Sequence, residues 1–345
     1  MWGKELLYLS IATVGIICIL GIILLYLVLR KVIENRQKNK INQYKERLSE
    51  PLFSFILSPE MSRSLIPDNK LKIQAIEQLL DKYVEVLEGD FEKKNLYSLA
   101  ELYLTDYYKA ALKSRNWSKR MNTLYHIEDF KIRLLQSDVK QLINSKRTTR
   151  EEKVLGLRVL AYFNYENLFE EIHLRYHYFS EYEYRSILLK ASDRILDELV
   201  ISFHKSQIML QKATLDLLAH KNELKYVPFI ESVCHSYSGE IRLRALKTLA
   251  AIGYVKDISH YLPLCKSSIW EERMMAAKLL GTIQDEEGLN CLISLLHDPF
   301  WWVRSQAAQS IKKYQNGNKI LKNVYQTSKD PFAIDMAWEW INKGD

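Results

Sequence analysis

Glu170-x-x-His173-x-x-x-His177 sets one carboxylate and two imidazoles at helical spacing. Those are donor types that hold a first-row transition metal. A dimetal carboxylate site inside a helix bundle needs two Glu-x-x-His pairs and further glutamates from other helices. Only one such pair occurs in the 345 residues, and the His-Glu-x-x-His of zinc hydrolases is absent. The spacing therefore reads as two surface histidines near a turn. Cys234 beside His235 has no second arm of ligands. Cys18, Cys234, Cys265 and Cys291 contain no CxxC, which fits isolated buried thiols in a reducing compartment. No Gly-rich phosphate loop and no Gly-x-Ser-x-Gly occurs, and Asn116-Trp-Ser118, a glycosylation sequon, is inert on a cytoplasmic domain. The residues support no enzyme, no cofactor and no metal centre.

Binding is better represented than catalysis. Tyr176, Tyr178, Tyr182 and Tyr184 crowd one segment with Phe169 and Phe179, and Trp301-Trp302 stand together in another. Tyr and Trp dominate protein-binding hot spots. These six Tyr and Trp residues are the candidate partner surface, with core packing between irregular helices as the competing explanation. Adjacent residues such as Trp301 and Trp302 cannot share a helix face, so at least one of them lies outside the main core.

Low Gly and Pro (11 and 7 residues) with 48% hydrophobic residues describe an ordered, helix-rich chain. Residues 6–29 are 24 uncharged residues, long enough to span about 30 Å of hydrocarbon as a helix. The run is too long for a secretory signal, and no Ala-x-Ala follows it. Arg30, Lys31, Arg36, Lys38, Lys40, Lys45 and Arg47 all lie on its C-terminal side. The positive-inside rule then places residues 1–5 outside and the rest in the cytoplasm. The formal charge is +7, of which +4 (eight Lys/Arg against four Asp/Glu) falls in residues 1–50. The remaining chain is too weakly basic to call for nucleic acid. Pro51, Pro59 and Pro67 are expected to break the juxtamembrane helix, leaving residues 52–57 as a hinge or as a cap on the first repeat.

No stretch from 68 onward alternates with period two, so helices are expected throughout. Asp68 caps a helix running to Glu88, Asn95 and Ser118 open the next two, and Thr149-x-x-Glu152 and Ser180-x-x-Glu183 have capping-box form. Toward the C-terminus Arg242, Arg273 and Arg304 recur every 31 residues, with Ala245, Ala276 and Ala307 at the same offset. A fixed period in this range marks stacked units that cannot bury their apolar faces alone. Gln211 stands in the Arg position one copy earlier, and Asp335 in a degenerate last copy that opens at Asp330-Pro331.

The acidic or Asp-Pro start followed by Val-Arg-x-x-Ala-Ala-x-x-Leu-Gly resembles the HEAT repeat, in particular the short bacterial, phycobilisome-lyase-like form. Glu272-Arg273-Met-Met-Ala276-Ala277-Lys-Leu-Leu280-Gly281 carries the likeness best. It covers about residues 238–315 and extends back to about 207. It implies an all-α, right-handed α-solenoid of antiparallel helix pairs behind a single transmembrane helix. It also implies that Arg242, Arg273, Arg304 and the three alanines are framework rather than catalytic. The chain divides, on this reading, into an extracytoplasmic 1–5, a span 6–29, a basic juxtamembrane segment 30–67, divergent helical repeats 68–206 and HEAT repeats 207–345. The expected function is a scaffold on the cell membrane whose cytoplasmic repeat surface binds a membrane-associated protein, with bacterial envelope or polysaccharide-export assemblies as family company. A nucleic-acid-binding solenoid is the alternative, and a repeat-containing lyase or hydroxylase the third class.

Overall fold

The computed structural model describes the backbone of residues 2–343 and the side chains of residues 13–343. No strand occurs among the described residues. They fall into two compact units, residues 1–163 and 164–345.

The first unit is built from α1 (Trp2–Leu57), α2 (Lys70–Val86), α3 (Asp90–Leu112), α4 (Trp117–Asp129), α5 (Gln136–Ile143) and α6 (Arg150–Tyr162). Helix α1 does not break at Pro51, contrary to expectation; the proline lies inside it. The reason is packing. Leu48, Leu52, Phe55 and Ile56 form one buried face against α2 and α3. Burying four such side chains is worth about 6–12 kcal/mol at roughly 1.5–3 kcal/mol each, more than the ~3 kcal/mol an interior proline costs. Asn95 Nδ2 donates to the Ile56 carbonyl at 2.9 Å, satisfying one of the orphan acceptors at the helix end. Residues 52–57 are thus docked in the unit, and the chain turns only after them.

Upstream, every described side chain from Thr13 to Lys40 is exposed, Val14 to Leu29 included. Among the described residues this is the one helix long and apolar enough to cross a membrane. The side chains of residues 1–12, which include the start of the 6–29 run, lie outside the described set.

Local signals explain most of the boundaries. The N-cap of α2 is Asn69, not Asp68, and its Oδ1 accepts from Lys72 N at 2.9 Å. Gly89 caps α3, which therefore starts five residues before Asn95. Asn116, not Ser118, caps α4. Thr149 at α6 forms the reciprocal capping box with Glu152.

The second unit holds α7 (Leu168–Arg175), α8 (Glu181–Leu188), α9 (Asp193–Ile201), α10 (Ile208–Lys221), α11 (Val227–Ser236), α12 (Gly239–Ile252), α13 (Trp270–Ile283), α14 (Glu286–Leu295), α15 (Trp301–Lys312), α16 (Gly317–Thr327) and α17 (Pro331–Asn342). Helices α8, α10, α12, α13, α15 and α17 form a row in which each packs on the next. Helices α11, α14 and α16 pack behind it; between α11 and α14 the chain makes two 3-10 turns, Ile258–His260 and Leu262–Lys266, where Pro263 disfavours an α-helix. Ala245, Ala276 and Ala307 are fully buried along the row, where a small side chain lets the helices approach.

The repeat extends into the backbone. Asn222, Gly253 and Gln284, again 31 apart, end α10, α12 and α13 in the left-handed conformation, with φ of 55°, 74° and 59°. Glycine suits that position best, and it stands in only one of the three. The division at 163/164 differs from the 206/207 boundary read from the sequence, which marks where the repeat motif becomes legible.

Candidate functional site

The arginines of the repeat sit at the start of their helices with side chains turned inward. Arg273 places Nε and Nη2 on the two Asp298 oxygens at 2.5 and 3.0 Å, while its Nη1 donates to the Ser267 carbonyl at 2.7 Å. Arg304 repeats the second contact, Nη1 to the Asp298 carbonyl at 2.7 Å, and lies 4.9 Å over the ring of Phe332 in the last copy. Arg242 reaches forward to Glu272 at 3.3 Å. Each guanidinium thus ties its own incoming loop, or the next copy, or both. Such planar five-donor groups suit contacts with several oxygens at once. Pairing holds the Arg273 guanidinium above its ordinary pKa, with the Asp298 hydrogen bond as the main cause.

The structure finds the same device where no motif was read. In the first unit Arg120 donates through Nε and Nη2 to Glu152 at 2.6 and 3.1 Å, and through Nη1 to the Ser114 carbonyl at 2.8 Å. The carbonyl lies six residues before the arginine, as it does for Arg273 and Arg304. Thr123 and Ile127 then occupy the places of Ala276 and Leu280. Thr123 is buried and covers its hydroxyl by donating to the Lys119 carbonyl at 2.7 Å. Gln211 does the same work with an amide, donating to the Phe203 carbonyl at 2.8 Å and to the Tyr237 hydroxyl at 3.3 Å. Threonine in place of alanine hides the first copy from a motif search. The signal that would have found it is the 32-residue interval between Arg120 and an acidic residue in a capping box.

The six aromatic candidates separate into two groups. Tyr176 and Tyr184 are not surface residues: they are 4% and 1% exposed, and the Tyr184 hydroxyl donates to the Tyr176 carbonyl at 2.7 Å. Burial pushes both phenols up to about 12. They are core, because the turn between α7 and α8 folds back on itself and stacks Tyr176 on Phe179, 5.2 Å between centroids. Tyr178 and Tyr182 are exposed, Tyr182 by 79%. Trp301 and Trp302 are both exposed, edge to face at 4.8 Å in the first turn of α15. Around them the second unit shows Ile269, Phe300 and Phe332 to solvent, with Trp270 stacked on Phe300 at 5.7 Å. This apolar edge lies along the starts of α13, α15 and α17.

Charge on the same row of helices is largely neutralised. Arg244 is shared by Glu181, Asp216 and Glu240. Lys247, Lys278 and Lys313 are the exceptions: no carboxylate pairs with them among the described residues, and burial, then the other two lysines, lowers the Lys278 pKa. Of the sequence's metal candidates, Glu170 and His173 lie on α7, but the helix ends at Arg175 and His177 falls in the turn beyond it. The three are therefore not on one helix face. Cys234 is buried and its thiol is pushed up to about 12 by desolvation, so it stays protonated.

A family described as HEAT repeats matches residues 258–335, which spans the two 3-10 turns, α13 to α16 and the first turn of α17. Among curated proteins none matches the chain.

Proposed function

We propose that this protein is a membrane-tethered scaffold that presents a HEAT-like helical-repeat surface to a protein partner, without catalytic chemistry of its own. The observation that carries the reading is the exposed edge of Ile269, Phe300, Trp301, Trp302 and Phe332 beside arginines that are already engaged. Large aromatics left in water cost free energy that a partner would recover, and HEAT repeats usually mediate protein–protein interaction. Tethering is supported by the uncharged run 6–29, by the full exposure of its described side chains, and by the basic residues that follow. On this reading the basic side and both units face the cytoplasm, and the partner is itself at the membrane, where anchoring raises its effective concentration. An envelope or polysaccharide-export assembly of a bacterial cell is the setting the repeat form favours.

Crosslinking and pull-down of the full-length protein from membranes, against a variant lacking residues 1–30, tests both parts. Recovery of a membrane protein only with the anchored form, and its loss in Trp301→Ala/Trp302→Ala, is the expected outcome. Equal recovery by all three forms would refute the reading. The unpaired Lys247, Lys278 and Lys313 favour a second reading in which the row of helices grips an anionic polymer such as nucleic acid. Its mark is affinity that falls steeply with salt.

A further inference from the structure

The first unit carries a cluster that neither the repeat framework nor the partner surface uses. Helix α2 places Glu77 and Asp81 one turn apart on one face, and α4 places His126 and Asp129 three residues apart on the face opposite. One ligand atom each from Asp81, His126 and Asp129 lies within 4.8 Å of the other two.

The imidazole is fixed in orientation. It is sandwiched between Tyr108 of α3 and Phe130, with centroids at 5.9 and 5.6 Å and planes within 4° and 8° of parallel. Its Nδ1 faces Asp81 Oδ1 at 3.7 Å, too far for a hydrogen bond, and that nitrogen is buried with no hydrogen-bond partner. Its Nε2 faces Glu77 Oε1 at 3.8 Å on the other side. The Tyr108 hydroxyl, fully buried, lies against Glu77 on the far side of the imidazole. The nearby cations are otherwise placed: Lys119 lies 5.6 Å over the Tyr107 ring, and Arg158 is held by Glu128. Three carboxylates thus surround one imidazole, and the ion-pair contacts of Asp81 and Glu77 are to that ring.

We propose that Asp81, His126 and Asp129 bind a divalent first-row metal ion of the Zn2+ class, through His126 Nδ1 and one oxygen of each aspartate. Mixed imidazole and carboxylate donors suit such an ion better than Ca2+ or Mg2+, which prefer all-oxygen sets. Zn–N and Zn–O bonds of about 2.1 Å at a tetrahedral angle put ligand atoms about 3.4 Å apart. The 3.7 Å between Nδ1 and Asp81 is close to that, and Asp129, on the exposed side, has the rotamer freedom to close the rest. Glu77 stands where a carboxylate commonly orients a ligating histidine through its other ring nitrogen. The ion would brace α2 against α4 across α3, and the three protein ligands leave a coordination position toward solvent.

The test uses the full-length chain in detergent, with Zn2+ as the probe. Equilibrium dialysis and elemental analysis measure bound Zn2+, and thermal unfolding is followed with and without chelator. Asp81→Asn and Asp129→Asn remove a ligand with little change of shape, and Glu88→Gln makes the same charge change elsewhere. The wild type and Glu88→Gln should hold one Zn2+ per chain at this site, and both aspartate variants should bind at least tenfold more weakly. In chelator the aspartate variants should melt no lower than wild type, because each relieves like-charge crowding. Zn2+ should raise the wild type above both. Equal Zn2+ retention by all forms, as binding at the cysteines would give, or a melting order unchanged by Zn2+, would overturn the proposal.

Discussion

Replacing Asp298 tests whether the arginine contacts hold the C-terminal copies together. Its carboxylate accepts from Arg273 Nε and Nη2 and from the Phe300 N–H at 2.9 Å, and the residue is 8% exposed. Asp298→Ala leaves the Arg273 guanidinium buried with the Ser267 carbonyl as its remaining acceptor. Breaking a buried pair from one side costs about 3–5 kcal/mol, and the lost turn hydrogen bond from the Phe300 N–H adds about 1 kcal/mol. The expected loss is about 4–6 kcal/mol, comparable with the whole stability of a marginal domain. Asp298→Asn keeps one acceptor, so about 2 kcal/mol is expected, the worth of one charged hydrogen bond. Arg273→Met with Asp298→Leu should recover much of the loss, because neither charge is then stranded. Denaturant unfolding of the full chain, read by tryptophan fluorescence, is the assay: five of the seven tryptophans fall between Trp270 and Trp340. A cost below about 1 kcal/mol for Asp298→Ala, or a double variant as unstable as the sum of the single ones, would refute the reasoning.

Three further outcomes follow from the same geometry. Gln284→Gly should raise the melting temperature by relieving a left-handed backbone, a gain of about 1 kcal/mol readable by calorimetry. Gly281→Ala should cost about 1–3 kcal/mol in denaturant unfolding, since a Cβ there would lie 2.8 Å from the Ser310 Cα. Lys212, then Arg244, hold the Glu240 carboxyl below its ordinary range. A depressed carboxylate stabilises the fold above its unfolded pKa of about 4.3, and that contribution is lost as pH falls through the lower folded value. Glu240 is half exposed, so the effect stays below about 1 kcal/mol, and Lys212→Met should flatten that part of the pH–stability profile.

The motif was legible where its Arg, its Ala and the Leu or Ile that follows were intact, in α12, α13 and α15. It was illegible at α4 because the structural requirement there is weaker than the motif. The position of Ala276 needs a small side chain with no unmet donor, and Thr123 satisfies that by bonding back to Lys119. The position of Arg273 needs donors to a loop carbonyl and to a neighbour, and Gln211 supplies both. Pro51 misled for the opposite reason: a strong local rule gave way to four buried side chains that only tertiary packing reveals. Tyr176 and Tyr184 look like Tyr178 and Tyr182 in sequence, and the fold of one turn buries the first two and exposes the others. Asp81 lies far from His126 and Asp129 in the chain, so only the packing of α2 near α4 could bring them together.

The unbroken course of α1 has a mechanical consequence. Were residues 6–29 to lie in a bilayer, as proposed, residues 30–47 would form a rod about 27 Å long, at 1.5 Å per residue, between the hydrocarbon and the first buried side chain, Leu48. A rod without a joint fixes bearing as well as height. One added residue would lift the first unit by about 1.5 Å and swing it by about 100°, whereas seven would lift it by about 10 Å and return it nearly to its original heading. The tilt and rotation of the span would be transmitted directly to the residues that α1 shares with α2 and α3.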